Sequence, residues 1–340
     1  MPAMELQTAE RPLASFVLLA YNNAPYVAEA LRSAFSQTYR PLQIVVSDDA
    51  STDATWQVLN EVAVDCPSDI ALVLRRNPAN CGVADNLNDA VAASSGEVIV
   101  TGAGDDIAEP ERVTRIMAAF GDPGVMTVGS GHTLVNSAGV AFAEQPPLRT
   151  FDITLSSLLE NANAIGGATA AYRRTVFESF DPLSTAIKHE DMLLVFRALL
   201  LGRGRMLAER LVRYRQHTGS VTASAAGMPA SRIAYVASAR RHAEGLLCAR
   251  RQQLTDLAHA VARGLVDKKV AADIAGPLAD QLRDFGWVHG LLTRELRGAQ
   301  VLQQAIAAKR RPRAIAKLMA MNLYPSLWYW WLRLRSRSAA

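Results

Sequence analysis

Residues 42–53 read Leu42-Gln43-Ile44-Val45-Val46-Ser47-Asp48-Asp49-Ala50-Ser51-Thr52-Asp53. A short, nearly continuous apolar run that stops at acids and small polar residues has the pattern of a strand buried on both faces of a parallel sheet. Upstream, Ser15-Phe16-Val17-Leu18-Leu19-Ala20 makes a second such run. Between the two, residues 25–37 place Val27, Leu31, Ala34 and Phe35 at helical spacing, which completes a βαβ unit. Downstream the alternation continues, with a helix expected over 52–64, a strand over 70–74, a helix over 83–93 and a strand over 97–101. Such a series predicts an α/β fold with a parallel sheet and helices on both faces, whose ligands sit at the carboxyl ends of the strands. The residues just after each apolar run therefore decide function.

From residue 121 to about 221 the alternation becomes irregular. Strand-like pieces are expected at 125–128, 168–172 and 211–214, with a helix over 190–201. This stretch reads as the acceptor half of the same domain. Beyond the small-residue stretch 222–230 strand signals vanish, and spacing such as Leu254, Leu257, Val261 and Leu265 predicts long helices. The expected organisation is an N-terminal tail over 1–12, an α/β domain over 13–225 and a helical C-terminal region over 226–340.

The composition is that of a globular protein: 340 residues, half of them hydrophobic and a fifth charged. Three cysteines, Cys66, Cys81 and Cys248, make neither a CxxC pair nor an even framework, which argues against a disulfide scaffold or zinc ribbon and fits a reducing cytoplasm. The first fourteen residues carry Glu5 and Glu10 and do not read as a secretory signal. No apolar stretch reaches the roughly 18–20 residues of a membrane-spanning helix. Net charge is +4 but unevenly placed: after Glu295 there is no acid, while nine Lys and Arg residues follow from Arg297 to Arg337. That asymmetry points to a polyanionic surface.

Each strand end admits a chemical and a plain reading. After the first strand, Tyr21 is placed to stack on a base, or Tyr21 and Asn22 simply make the turn. After the second, one of Ser51 and Thr52 caps the next helix, and the paired acids Asp48 and Asp49 exceed what a cap requires. A carboxylate there accepts a hydrogen bond from the imide of uracil or thymine. Residues 80–88 join a strand to a helix whose N-terminus favours phosphate, or form an ordinary glycine turn at Gly82. After the fourth strand, Asp105 and Asp106 stand side by side on a glycine-rich turn. Adjacent carboxylates repel and call for a hard divalent cation, Mg²⁺ or Mn²⁺, shared with substrate phosphates, or the pair simply makes a solvated acidic turn. Glu190 and Asp191 open an apolar helix, either as partners of its dipole or with a carboxylate serving as general base. His217 lies in a Gly/Ser-rich loop beside arginines, structural or a further metal or diphosphate contact. No GxxxxGK[ST], HExxH, GxGxxG or GxSxG motif follows any strand.

Taken in order, AYNN (20–23), VVSDDASTD (45–53), NCGVADNLN (80–88), GDD (104–106) before a proline-bearing helix, HED (189–191) and YRQHTGS (214–220) resemble the family-2 inverting glycosyltransferases over residues 13–222. The resemblance implies the GT-A fold, a Rossmann-like and mostly parallel central sheet, and sugar transfer from a nucleotide-sugar donor. It further implies that Tyr21 and Asp49 hold the base, with Ala20, Asn22, Asn80, Gly82, Asn88 and Asp105 completing the donor site. Asp105 and Asp106 take the DXD-type metal position with His217, Asp191 that of the catalytic base, and Gly166, Gly167 and Glu190 face the acceptor. Two departures stand out. Ala103 occupies the place of a first acid, and Asn86-Leu87-Asn88 replaces a common Ala-Arg-Asn, so one donor contact has no counterpart.

The cluster Leu323-Tyr324-Pro325-Ser326-Leu327-Trp328-Tyr329-Trp330-Trp331-Leu332, flanked by basic residues, has the composition of a membrane-interface segment or of a core-packing or homodimerising helix. The first reading predicts peripheral attachment to the inner face of the cell membrane and a polyprenyl-diphosphate-linked glycan as acceptor. Two other functions compete. A sugar-nucleotide nucleotidyltransferase needs a Gly/Arg-rich loop where Tyr21-Asn22-Asn23-Ala24-Pro25 stands, and a non-catalytic nucleotide or glycan module needs no Asp105, Asp106 or Asp191. Nucleic acid is not expected as a partner, because no reading motif accompanies the basic tail.

Overall fold

The computed structural model describes residues 11–144, 149–160, 165–217, 232–293 and 298–307. These divide into two compact units, one within Met1–Thr185 and Glu190–Arg215, the other within Ala186–His189 and Gln216–Ala340.

The first unit opens with the expected alternation: β1 (Ala14–Ala20), α1 (Val27–Phe35), β2 (Leu42–Asp48), α2 (Thr55–Ala63), β3 (Ile70–Arg76), α3 (Val83–Ala92) and β4 (Val98–Ala103). There follow β5 (Ile107–Ala108), α4 (Arg112–Ala119), β6 (Val125–Val135), β7 (Ala141–Glu144), β8 (Phe151–Ile153), α5 (Leu155–Glu160), β9 (Ala170–Arg173), α6 (Thr175–Glu178), α7 (Glu190–Leu201) and β10 (Arg203–Arg215). All join one sheet in the order β3-β2-β1-β4-β9-β6-β10-β5, with β7 on β6 and β8 on β10. The ladders set β1, β2, β3, β4, β6 and β10 running one way, and β5, β7, β8 and β9 against them.

Burial explains the apolar runs. Every residue of β2 is buried, and Phe16, Leu18, Ile44, Val46, Val98 and Val100 pack with α1 residues Val27, Leu31 and Ala34 into one core. Strand order reverses between β1 and β4, the point at which sheets of this kind take ligands at the carboxyl ends of their strands. Registers Ala20↔Asp48 and Leu19↔Ala103 bring the three loops after β1, β2 and β4 to this edge.

Several local expectations need correction. The helix expected from 52 begins at Thr55, and neither Ser51 nor Thr52 caps it. Ser51 Oγ instead accepts the Asn22 N–H (2.9 Å), while Asp53 Oδ1 accepts the Thr55 N–H (3.0 Å). The pieces at 125–128 and 211–214 belong to far longer strands, whose glycines, arginines and bulges hide them from hydropathy. The helix expected after GDD is α4, and Pro110 stands just ahead of it, not within it.

The second unit is helical: α8 (Arg232–Ala262), α9 (Lys268–Leu292) and α10 (Gly298–Ala307). Leu257, Ala260, Ile274 and Leu278 are buried between α8 and α9. Leu265, expected on the α8 face, lies past the helix end. Gly264 takes φ +69° and the Leu265 N–H closes back on Ala260 O (2.8 Å), leaving the leucine 40% exposed. Among the described residues no helix is long and apolar enough to cross a membrane. The stretch 222–230, the aromatic cluster 323–332 and the basic residues after Gln304 lie outside the described residues.

Candidate active site

The turn after β1 is built by asparagines. Asn22, at φ +52°, donates its N–H to Ser51 Oγ and accepts the Thr52 N–H (2.9 Å) on its side-chain oxygen. Asn23 Oδ1 accepts the Tyr21 N–H (2.8 Å), and a Cβ on Gly104 would come within 2.8 Å of the same oxygen, so that close approach requires glycine. These bonds leave the Tyr21 ring 46% exposed at the sheet edge.

Asp49, 3% exposed, is the anchor of the neighbouring loop. Its Oδ1 accepts Asn77 Nδ2 (2.9 Å), Cys81 N (2.9 Å) and Cys81 Sγ (3.1 Å); its Oδ2 accepts Asn80 Nδ2 (3.0 Å) and Gly82 N (2.9 Å). Burial raises the proton affinity of this carboxyl, yet the backbone and side-chain donors of Cys81, Asn77 and Gly82 outweigh it and hold Asp49 below the usual carboxylate range. By the same contact the Cys81 thiol, already desolvated, is pushed up to about 12. The anion at the N-terminus of α3 is thus the chain's own Asp49 carboxylate. Asn88 is engaged elsewhere: both ends of its amide pair with the Leu183 backbone, at 2.8 and 3.0 Å.

Asp105 and Asp106 follow β4 on the same edge. Asp106, 6% exposed, accepts the Arg215 N–H on Oδ1 (2.7 Å), and its Oδ2 is buried with no hydrogen-bond partner. Desolvation first, and the Asp105 charge second, push Asp106 up to about 8 against the opposing fields of Arg112 and Arg215. Arg112 is buried within α4. Its Nη2 donates to Thr101 O (2.7 Å) and Ala168 O (2.9 Å), and desolvation brings it down to about 10. A buried carboxylate with an unused oxygen next to a second carboxylate is a fitting donor set for a hard divalent cation. Among the described residues no three His, Cys, Asp or Glu side chains form a ready-made cluster, so such an ion would draw its remaining ligands from water or substrate. His217 lies two residues past β10, in the second unit.

A second acidic group opens α7. Asp191 Oδ2 accepts the Gly167 N–H (3.3 Å) and its Oδ1 the Met192 N–H (2.7 Å). Gly167 O in turn accepts Thr101 Oγ1 (2.5 Å), which ties this segment to β4. A Cβ on Gly167 would sit 2.9 Å from Glu190 Oε1, so glycine permits the approach. Burial, then the charge of Asp191, push Glu190 up to about 8. Gly166 is exposed on the preceding turn, its carbonyl accepting Thr169 Oγ1 (3.0 Å). Tyr172, buried on β9, has its hydroxyl without a partner, and burial with the charges of Asp191 and Glu190 raises its pKa. Sequence reading passed over Arg112, Thr101 and Tyr172, because each sits inside an element with no motif around it.

The sequence profile described as Glycosyl transferase family 2 matches residues 15–180, the stretch that holds these strand ends as far as α6. Over residues 15–180 the chain is similar to family-2 glycosyltransferase domains. An uncharacterised protein of Mycobacterium tuberculosis (strain H37Rv) is 31% identical over 216 residues, 62% of this chain and 61% of its own length. An uncharacterised glycosyltransferase of Nostoc sp. (strain PCC 7120) is 28% identical over 221 residues, 62% of this chain and 67% of that protein. The chain therefore spans about three fifths of the mycobacterial relatives. Two solved structures share the fold of the family-2 domain. Staphylococcus aureus TarS 1–349 in complex with UDP-GlcNAc matches at TM-score 0.60 and 18% identity, covering 91% of this chain and 81% of that one. A mannosyltransferase from Pyrobaculum calidifontis in complex with GDP-Man and Mn²⁺ matches at 0.53 and 20%, covering 94% and 89%. The GT-A fold expected from the order of the strand-end motifs is the fold observed.

Proposed function

We propose that this chain is an inverting glycosyltransferase that moves a sugar from a UDP or dTDP sugar to a hydroxyl of a glycan or polyprenyl-diphosphate-linked glycan in cell-surface polysaccharide synthesis. The observation that carries the reading is the placement of two separate acid groups by one sheet: Asp105 and Asp106 after β4, and Asp191 held by the Gly167 N–H at 3.3 Å. Nucleotide sugars in two structural neighbours, UDP-GlcNAc in one and GDP-Man in the other, support a donor of that class.

In this reading Tyr21 offers its exposed ring to the base, and the loop 80–82, shaped by Asp49, borders it. Asp106 and Asp105 would hold Mg²⁺ or Mn²⁺. When bound, the cation supplies neutralisation of the leaving diphosphate. Asp191 accepts the proton of the acceptor hydroxyl as that oxygen attacks the anomeric carbon from the face opposite the leaving group, so that configuration inverts. Gly166, Gly167 and Glu190 border the acceptor, with Glu190 carrying a proton at neutral pH and thus able to donate a hydrogen bond to an acceptor oxygen. The basic, aromatic C-terminal segment would bring the enzyme to the inner face of the membrane, where lipid-linked acceptors reside.

A donor screen that follows released nucleoside diphosphate with Mn²⁺ or Mg²⁺ tests the reading. Asp191→Asn should lose transfer by at least about a hundredfold while keeping donor binding, whereas Asp106→Asn should weaken the metal-dependent part of donor binding. Full activity in both variants would overturn the assignment.

A further inference from the structure

Arg215, the last residue of β10, is a side chain for which the mechanism above has no use, and it is 2% exposed. Its backbone N–H goes to Asp106 Oδ1 (2.7 Å), and its Nε donates to the Asp105 carbonyl (2.8 Å). Nη1 reaches Asn136 O (3.3 Å) and Ser137 O (3.0 Å) in the turn between β6 and β7, and Nη2 reaches Glu29 Oε2 (2.5 Å) on α1. The guanidinium also stands over the Tyr26 ring, 4.9 Å from its centroid. Four chain segments, 186 residues apart at the extremes, meet on one planar fork.

Burying an arginine is unfavourable unless its donors are satisfied and its charge is met. Here three of the four side-chain acceptors are backbone carbonyls, and the one carboxylate, Glu29, is 57% exposed. A fork that merely stabilised the sheet would not need to take hold of the Asp105 carbonyl while its own amide holds Asp106. We propose that Arg215 is the positioning residue of the Asp105–Asp106 turn: it fixes the direction in which the paired carboxylates face, and Glu29 latches it from α1. This inference rests on the reading that the pair receives a divalent cation. It concerns how this chain aims the pair.

Lysine cannot replace the fork, because a point charge on a flexible stem does not span acceptors in three segments. The affinity of Mn²⁺ alone, read from the electron paramagnetic resonance signal of the free ion, should fall about tenfold in Arg215→Met, with Arg215→Lys recovering less than half of that loss. Glu29→Gln, which leaves the fork in place, should weaken Mn²⁺ by roughly twofold. Thermal midpoints measured alongside separate turn geometry from general stability, since a purely structural arginine would lower the midpoint and leave the Mn²⁺ affinity of the folded protein unchanged. That result, with Asp106→Asn losing Mn²⁺, overturns the proposal and spares the reading of the site. Undiminished Mn²⁺ binding in Asp106→Asn overturns both. Should the methionine variant not fold, Arg215→Lys and Glu29→Gln decide: native Mn²⁺ affinity in both rejects the proposal.

Discussion

Asp191 and Glu190 are neighbours in sequence, yet their surroundings differ. Asp191 receives two backbone N–H groups, whereas Glu190 is desolvated beside the Asp191 charge and pushed up to about 8. A consequence for stability follows. The unfolded chain ionises Glu190 near its ordinary 4.5, while the folded chain keeps the proton up to about 8. The folded state is thus favoured most by this residue below pH 4.5, and that contribution is lost as pH rises through 8. Glu190→Gln cannot ionise, so its thermal midpoint should rise relative to that of the unmodified chain across this interval. Parallel pH profiles for the two proteins would refute this account.

Among the elements, the loop between β3 and α3 depends most on one distant side chain. Five donors from residues 77–82 converge on Asp49, so replacing one carboxylate oxygen by an amide sets a donor against the loop N–H groups. Asp49→Asn should cost on the order of 3 kcal/mol in urea unfolding. It should also speed amide exchange at Cys81 and Gly82 more than in the core strands. An exchange increase spread evenly over the sheet would show that Asp49 supports the fold at large and not this loop. Cys81, with its thiol pushed up to about 12 by burial and by Asp49, should resist alkylation at pH 8 until Asp49 is replaced.

At the scale of the whole molecule, the charge asymmetry calls for its own test. Eight of the Lys and Arg residues that follow Glu295 fall within 305–340, together with the aromatic cluster 323–332, and each basic residue near an anionic surface contributes about 1 kcal/mol. The full chain should float with vesicles containing phosphatidylglycerol and lose that partitioning when 305–340 are removed. Equal flotation of the two would rule out the tail as the attachment.

The alternation of apolar runs and helices over residues 14–103 was legible in the sequence, because strands buried on both faces leave uninterrupted runs and the polar residues after them have nowhere to lie except the sheet edge. The acids at 49, 105 and 106 could be picked out for the same reason, and Asp191 because it opens an apolar helix. What the sequence could not supply was the use made of each. That Asn22 and Asn88 serve the backbone, that Asp49 is saturated by the loop after β3, and that Arg112, Tyr172 and Arg215 frame the acids, all follow from what the fold brings together, across as many as 186 residues of chain. The long strands β6 and β10 were likewise hidden, since their polar and glycine positions break the apolar pattern and pairing with each other and with β5, β7, β8 and β9 holds them extended. Local chemistry therefore determined which residues stand at the sheet edge, and tertiary packing decided their partners, because a hydrogen bond or a buried charge depends on what the fold brings beside it.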